Sequence, residues 1–326
     1  MILLLLLNMF FASTFTLGKA ALAYVQPIFF IGVRMVVAGT LLLLYQCFFN
    51  KQHFKVYKKH VLFFLAIMLV HIYIPFVCEF WSLQYISSSK TSLLYSLTPF
   101  IMALFAYFTF HETITRKKWW GLAIGFAGFL PILLAQDVAE NGISHLFFLS
   151  TAEMVLLIAI ASSTAGWLFM KKLIQENYSP VMINGVGMLG GGLLALFTSL
   201  LVEQDPLVPT VPQETGAVAG KFEQFLLQFM TYEQVDFALF LFYMTALILI
   251  ANILCYNLYG YLLRRHSATL ISFSGLTIPL FGALFGWFFL GEHIPWQFFV
   301  SMVIVCCGLY IFYQEDLRLK KLEKLL

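Results

Sequence analysis

Charge is what this chain has least of. Asp, Glu, Lys and Arg together make up 11% of the 326 residues while 61% are hydrophobic, where a soluble domain carries about 25% charged residues. With a mean hydropathy of +0.88, that scarcity excludes a water-soluble globule. Cysteine is sparse too: Cys47, Cys78, Cys255, Cys306 and Cys307 all fall inside apolar runs without a C-x-x-C spacing. They read as small core hydrophobes, not as a metal site or a redox pair. Also missing are a nucleophile elbow, an H-E-x-x-H helix, a P-loop and a paired-carboxylate motif; His111-Glu112 continues Thr-Ile-Thr and has no second His. The chain therefore reads as neither an enzyme nor an ATP-driven pump, and no cofactor or metal is expected. Nor do the 19 Lys and Arg gather on one region, which argues against nucleic acid as a partner.

What is present is a succession of long apolar runs. Charges, prolines and short polar clusters divide the sequence into ten, at residues 2–24, 28–49, 61–86, 90–110, 118–136, 152–170, 179–202, 236–263, 267–290 and 296–313. Runs of this length close their hydrogen bonds in lipid as helices, whereas a barrel would alternate over about ten residues. The expected fold is an all-α integral membrane protein of ten transmembrane helices, with the lipid bilayer as its solvent. The first run lacks a basic leader and an A-x-A-like site, so it reads as a retained helix.

Basic residues set the orientation. Lys51, Lys55, Lys58, Lys59, Arg116, Lys117, Lys118, Lys171, Lys172, Arg264, Arg265, Arg318, Lys320, Lys321 and Lys324 fall on one side, against Lys19, Lys90 and Lys221 on the other. Both termini are expected in the cytoplasm. The longest connection, 203–235, lies outside. It opens with Pro206, Pro209 and Pro212, and its Phe222, Phe225, Leu226 and Phe229 follow a helical spacing, as in a surface anchor or a gate.

The sequence also repeats itself. At an offset of 180, Ser92 falls on Ser272, Pro99 on Pro279, Ala103-Leu104-Phe105 on Ala283-Leu284-Phe285, Glu112 on Glu292 and Gly128 on Gly308. At an offset of 153, Pro27 falls on Pro180, Gly32-Val33 on Gly185-Val186, Met35 on Met188 and Gly39 on Gly192. The halves divide as 1–140 and 150–326. Five crossings each, an odd number, force the second copy to enter the membrane upside down. Inverted repeats around a shared central site are the architecture of secondary transporters.

The segments Ser92 to Pro99, Phe110-His-Glu112-Thr-Ile, Ile271-Ser-Phe-Ser and Leu290-Gly-Glu292-His-Ile resemble the paired signatures of EamA domains in the drug/metabolite transporter superfamily. That resemblance covers nearly the whole chain. It implies a ten-helix inverted-repeat carrier of the bacterial inner membrane that moves a small molecule through a central pocket. Lys19 and Arg34 match basic residues common in the first copy, whereas the second copy has Gly187 in the place of Arg34. The opening Phe11-Ala-Ser-Thr-Phe-Thr and the lone Glu79 are similar to carriers that import S-adenosylmethionine and return S-adenosylhomocysteine. The same resemblance leaves open an amino-acid or drug exporter, and both a monomer and a homodimer. An intramembrane enzyme or scaffold is the alternative of another class.

Ionisable groups are costly in lipid, so each is a candidate site residue. At 1.5 Å per residue Arg34 lies roughly 10 Å below the outer surface, and Glu79 at a similar depth. With Lys19 and Lys90 they form an expected layer of three positive charges and one negative. Glu79 either pairs with Lys19 or Arg34 to fix packing, or stands ready for a substrate ammonium while Arg34 takes a carboxylate. His71 shares a helix face with Pro75 and Glu79, either as a hydrogen-bonded structural group or as a proton carrier. On the equivalent face of the second copy stand Asn252, Tyr256 and Tyr259, with Asn257 beside them. Trp81, Tyr95, Tyr107, Trp167 and Trp287 complete the candidate walls, able to stack a base or hold an onium cation. Gly121/Gly125, Gly187/Gly191 and Gly282/Gly286 read as seams for close helix approach.

Overall fold

The computed structural model describes residues 2–51, 54, 56–110, 115–128, 150–203, 232–265, 268–291, 293–294 and 296–323. Among them every regular element is helical and no strand occurs. The elements are α1 (Ile2–Ala21), α2 (Pro27–Phe49), α3 (Lys58–Leu83), α4 (Ser88–Tyr95), α5 (Thr98–Phe110), α6 (Arg116–Ala127), α7 (Thr151–Gln175), α8 (Pro180–Val202), α9 (Tyr232–Arg265), α10 (Ala268–Ser274), α11 (Ile278–Leu290) and α12 (Trp296–Glu323). Seven of these, α1, α2, α3, α7, α8, α9 and α12, are long and apolar enough to cross a bilayer by themselves. The chain is a multi-pass membrane protein.

Most element ends follow from local chemistry. Pro27 and Pro180 open α2 and α8, where a missing N–H costs nothing. Ser150 and Glu153 form a capping box at the start of α7. Asn177, in the left-handed region at φ 65°, turns the chain from α7 into α8. The runs 90–110 and 267–290 are each broken into two helices, and two elements extend past their expected ends. α7 runs on to Gln175, five residues past the end of its apolar run, and α12 continues to Glu323 as a charged tail. The segments 129–149 and 204–231, with their proline-rich stretch and the Phe222 to Phe229 face, lie outside the described residues, as do Glu112, Lys221 and Glu292.

Two features recur at related positions. α3 widens to a π-helical stretch over Ile67–Tyr73, and α9 does the same over Ile248–Cys255. Pro75 accounts for the first, since it cannot donate to the carbonyl of residue 71. At the second, the side-chain amide of Asn257 donates to the carbonyl of Ile253 at 2.8 Å. Likewise α4 passes into α5 just before Pro99, and α10 into α11 just before Pro279. The Thr98 hydroxyl donates to the Tyr95 carbonyl at 2.6 Å, serving the carbonyl that Pro99 leaves without its helical donor, and Thr277 donates to the Ser274 carbonyl at 2.9 Å.

Close packing repeats with the same offsets. A Cβ added at Gly39 would lie 2.9 Å from the Gly185 carbonyl oxygen, and one added at Gly192 3.0 Å from that of Gly32. The same reciprocity joins α6 to α12: Gly128 sits against the Val305 backbone and Gly308 against that of Gly125. Gly187 and Gly191 of α8 admit Ile67 and Ile72 of α3. These seams bring helices from the two halves of the sequence into backbone contact.

Candidate functional site

Between these helices lies a cavity of about 100 Å³, open on part of its wall. Its lining comes from α1 (Asn8, Phe11, Thr14, Phe15), α2 (Arg34), α3 (Phe76, Glu79, Phe80), the α4–α5 junction (Tyr95, Thr98), α7 (Ser163, Trp167), α9 (Ala251, Tyr256, Tyr259) and α10–α11 (Ile271, Ser272, Gly275, Ile278). Both halves of the sequence contribute.

Arg34 is 1% exposed. Its guanidinium lies over three phenylalanine rings, 5.7 Å from the Phe30 centroid, 5.0 Å from Phe76 and 4.9 Å from Phe80. Phe30 is one turn before Arg34, while Phe76 and Phe80 are one turn apart on α3, so helical spacing alone builds the cage. Ring faces compensate part of the buried charge. They do not use its donors: among the described residues Nε and Nη2 are buried without a hydrogen-bond partner. Glu79 sits on the same helix as two of those rings. Its Oε2 accepts a hydrogen bond from the Tyr95 hydroxyl at 2.5 Å. Among the described residues neither Arg34 nor Glu79 forms an ion pair, so the expected structural pairing of Glu79 with Arg34 or Lys19 is not what the structure shows.

The expected four-charge layer is corrected as well. Lys19 turns away from the cavity and donates to the carbonyls of Leu83 at 2.6 Å, Ile86 at 3.0 Å and Gln84 at 3.5 Å, closing the C-terminus of α3 where carbonyls lack intrahelical donors. Lys90 pairs with Glu153, both buried. Among the described residues only Arg34 and Glu79 remain as guanidinium and carboxylate in the cavity wall, with no surplus of positive charge.

Of the other candidates, Tyr95, Tyr256, Tyr259 and Trp167 line the cavity. Trp167 stacks on Tyr259 with ring centroids 3.7 Å apart and lies 5.1 Å from Tyr256, and Phe11 meets both tyrosines edge-on at 6.2 and 6.3 Å. His71 sits behind this layer, fully buried, its ring edge-on to Trp167 at 4.4 Å and its Nδ1 3.3 Å from the Ser163 carbonyl. Gly166 leaves the room for that imidazole. Asn252 also lies outside the lining: its amide donates to the sulfur of Met35 at 3.0 Å, joining α9 to α2. Trp81 is half-buried against Tyr85. Tyr107 and Trp287 are exposed on α5 and α11, facing outward. Sequence reading missed Phe11, Phe76 and Phe80, although the i, i+4 spacing of Phe76 and Phe80 around Glu79 carried the signal.

Comparison with known proteins gives a consistent picture. The EamA-like transporter family matches residues 1–134 and again 150–314. A protein of Chlamydia muridarum named S-adenosylmethionine/S-adenosylhomocysteine transporter is 32% identical over 324 residues, covering 97% of this chain and 92% of that protein. Its namesake in Chlamydia trachomatis serovar L2 is 32% identical over 97% of this chain and 90% of its own length. One crystal structure superposes with a TM-score of 0.64 over 97% of both chains at 14% identity, a likeness of fold.

Proposed function

The chain belongs to the EamA-like transporter family, and from that premise we propose that it is a secondary carrier of a small zwitterion, working by alternating access. The observation that carries this reading is one guanidinium with unused donors and one carboxylate, Arg34 and Glu79, in the aromatic wall of a single cavity shared by both halves of the chain. Arg34 takes the substrate carboxylate through its forked donors. Glu79, steadied by Tyr95, accepts the ammonium. Tyr256, Tyr259 and Trp167 close around the remainder of the molecule, and His71 serves as the packed support behind them.

In this reading each half is one EamA repeat, residues 1–140 and 150–326, and the second is inverted relative to the first. α4 with α5, and α10 with α11, each make one kinked crossing, giving ten in all. The reciprocal glycine contacts support it, because they join residues related by the sequence offsets, and the π-helical stretches recur close to the offset of 180, beginning at Ile67 and Ile248. The protein resides in the inner membrane with both termini cytoplasmic, the orientation that the distribution of basic residues favours. Rocking of the halves exposes the cavity to either side in turn.

The substrate that suits both the relatives and the residues is S-adenosylmethionine, taken up in exchange for S-adenosylhomocysteine. It carries a carboxylate, an ammonium, a sulfonium and an adenine. Purified protein in liposomes preloaded with unlabelled S-adenosylmethionine is expected to accumulate labelled S-adenosylmethionine by counterflow. Counterflow with neutral amino acids alone would make it an exporter of another branch, and no flux with any of them would overturn the carrier reading.

A further inference from the structure

Resting on that reading of the substrate, we propose that Phe11, Trp167, Tyr256 and Tyr259 form an onium subsite that distinguishes a sulfonium from the corresponding neutral thioether. The argument is one of charge balance and position. The incoming ligand has two cationic centres and one carboxylate, whereas the described cavity wall has one guanidinium and one carboxylate. Once Arg34 meets the ligand carboxylate and Glu79 the ammonium, the sulfonium has no ionic partner. A bare cation in so apolar a site is costly, and what the cavity offers it is the negative face of aromatic rings.

The rings stand beside the Arg34 cage. Phe76, one of the three rings against Arg34, has its centroid 5.9 Å from that of Tyr256, so the aromatic cluster begins one ring away from the carboxylate site. In the ligand the sulfur is three bonds from the carbon that bears both carboxylate and ammonium. Trp167, the ring type that holds cations best, packs against both Tyr256 and Tyr259. Phe11 of α1 closes the cluster from the other half of the sequence.

Two ordinary roles compete with this one, stacking the adenine and simply packing helices. The ligand pair separates them, because the sulfonium and the thioether carry the same adenine and the same amino-acid end. The experiment uses full-length protein in liposomes and measures how unlabelled S-adenosylmethionine and S-adenosylhomocysteine each inhibit uptake of labelled S-adenosylhomocysteine. In Trp167→Leu the preference for the sulfonium should fall about tenfold, and Trp167→Phe should restore part of it. Tyr259→Leu provides the second variant if Trp167→Leu does not purify as a monodisperse protein. Equal loss for both ligands, the result of adenine stacking, overturns the subsite, as does an unchanged ratio, the result of packing alone. A wild-type protein that moves neither ligand sinks the substrate reading and the subsite together, whereas in a wild type that moves both, a change of ratio in the variants belongs to the rings.

Discussion

At the scale of single residues the protein is defined by how it treats four charges within its apolar helices, Lys19, Arg34, Glu79 and Lys90. Two are spent on structure: Lys19 on the carbonyls that end α3, Lys90 on Glu153. Two face the cavity, and they are held by neutral groups, rings for Arg34 and a phenol for Glu79. That division predicts opposite phenotypes. Arg34→Ala and Glu79→Ala should abolish counterflow while the protein still reaches the membrane and purifies intact. Glu79→Gln, which keeps an acceptor for Tyr95 but loses the charge, should weaken binding of the zwitterion by about 10- to 100-fold, the value of a charge-assisted hydrogen bond. Lys19→Met should leave substrate affinity unchanged and cost about 1–3 kcal/mol of stability through its unserved carbonyls, read as a lower melting temperature in detergent. If Lys19→Met instead abolished binding with stability intact, its placement outside the site would be wrong. The sequence made all four visible as intramembrane charges. It could not separate them, because the partners of Lys19 lie more than sixty residues along the chain and Glu153 reads locally as no more than a helix cap.

Among the helices, hydropathy and proline were enough to locate nearly every one, since an apolar run between charges has few alternatives in lipid. What hydropathy cannot register is how the helices deviate from regularity, and here the site is made by deviation. The π-helical stretches of α3 and α9 immediately precede the segments that carry Glu79 and Tyr256, and such insertions rotate the residues that follow them relative to those before. The α4–α5 and α10–α11 junctions put Tyr95, Thr98 and Gly275 on the cavity wall. Around that irregular centre the seams must be tight. Gly39 and Gly192 lie backbone to backbone with the facing helix, so a side chain there has nothing flexible to displace. Gly39→Val is expected to destabilise the protein by about 1–3 kcal/mol, measured by thermal unfolding in detergent. Gly291, with nothing within 4 Å of an added Cβ but a left-handed φ of 66°, should tolerate Gly291→Asn with a far smaller loss, since Asn accepts that conformation. Equal losses at the two positions would remove close helix approach as the reason for Gly39.

The two ends of the whole molecule are built from different chemistry. At one end Tyr178 joins the halves: its hydroxyl lies 3.0 Å from His60 Nδ1 and accepts from the Tyr57 N–H at 3.1 Å, while Arg264 donates to its carbonyl at 2.9 Å. Glu176 lies near by, 3.6 Å from Lys59 and 3.4 Å from His60 Nε2. At the other end Glu203, just past α8, accepts from the N–H groups of Ile28 and Phe29 at 2.8 and 2.9 Å, capping α2, and Lys90 meets Glu153. The first end gathers Lys58, Lys59, Lys171, Lys172, Arg264 and Arg265, and the second has few basic residues. Under the rule that basic connections stay in the cytoplasm, the proposed orientation turns the Tyr178 end inward. This orientation is a strong test of the inverted repeat, because residues 55 and 265 belong to different halves and to connections of opposite sense within them. Two equal-handed halves of five crossings would put those positions on opposite faces of the bilayer, whereas inversion puts them on the same one. Alkaline phosphatase and green fluorescent protein fusions at residues 55 and 265 should therefore both report cytoplasm, and a fusion near residue 203 should report the outer side. Opposite reports from 55 and 265 would remove the inversion, and with it the rocking of two like halves about the Arg34 and Glu79 cavity.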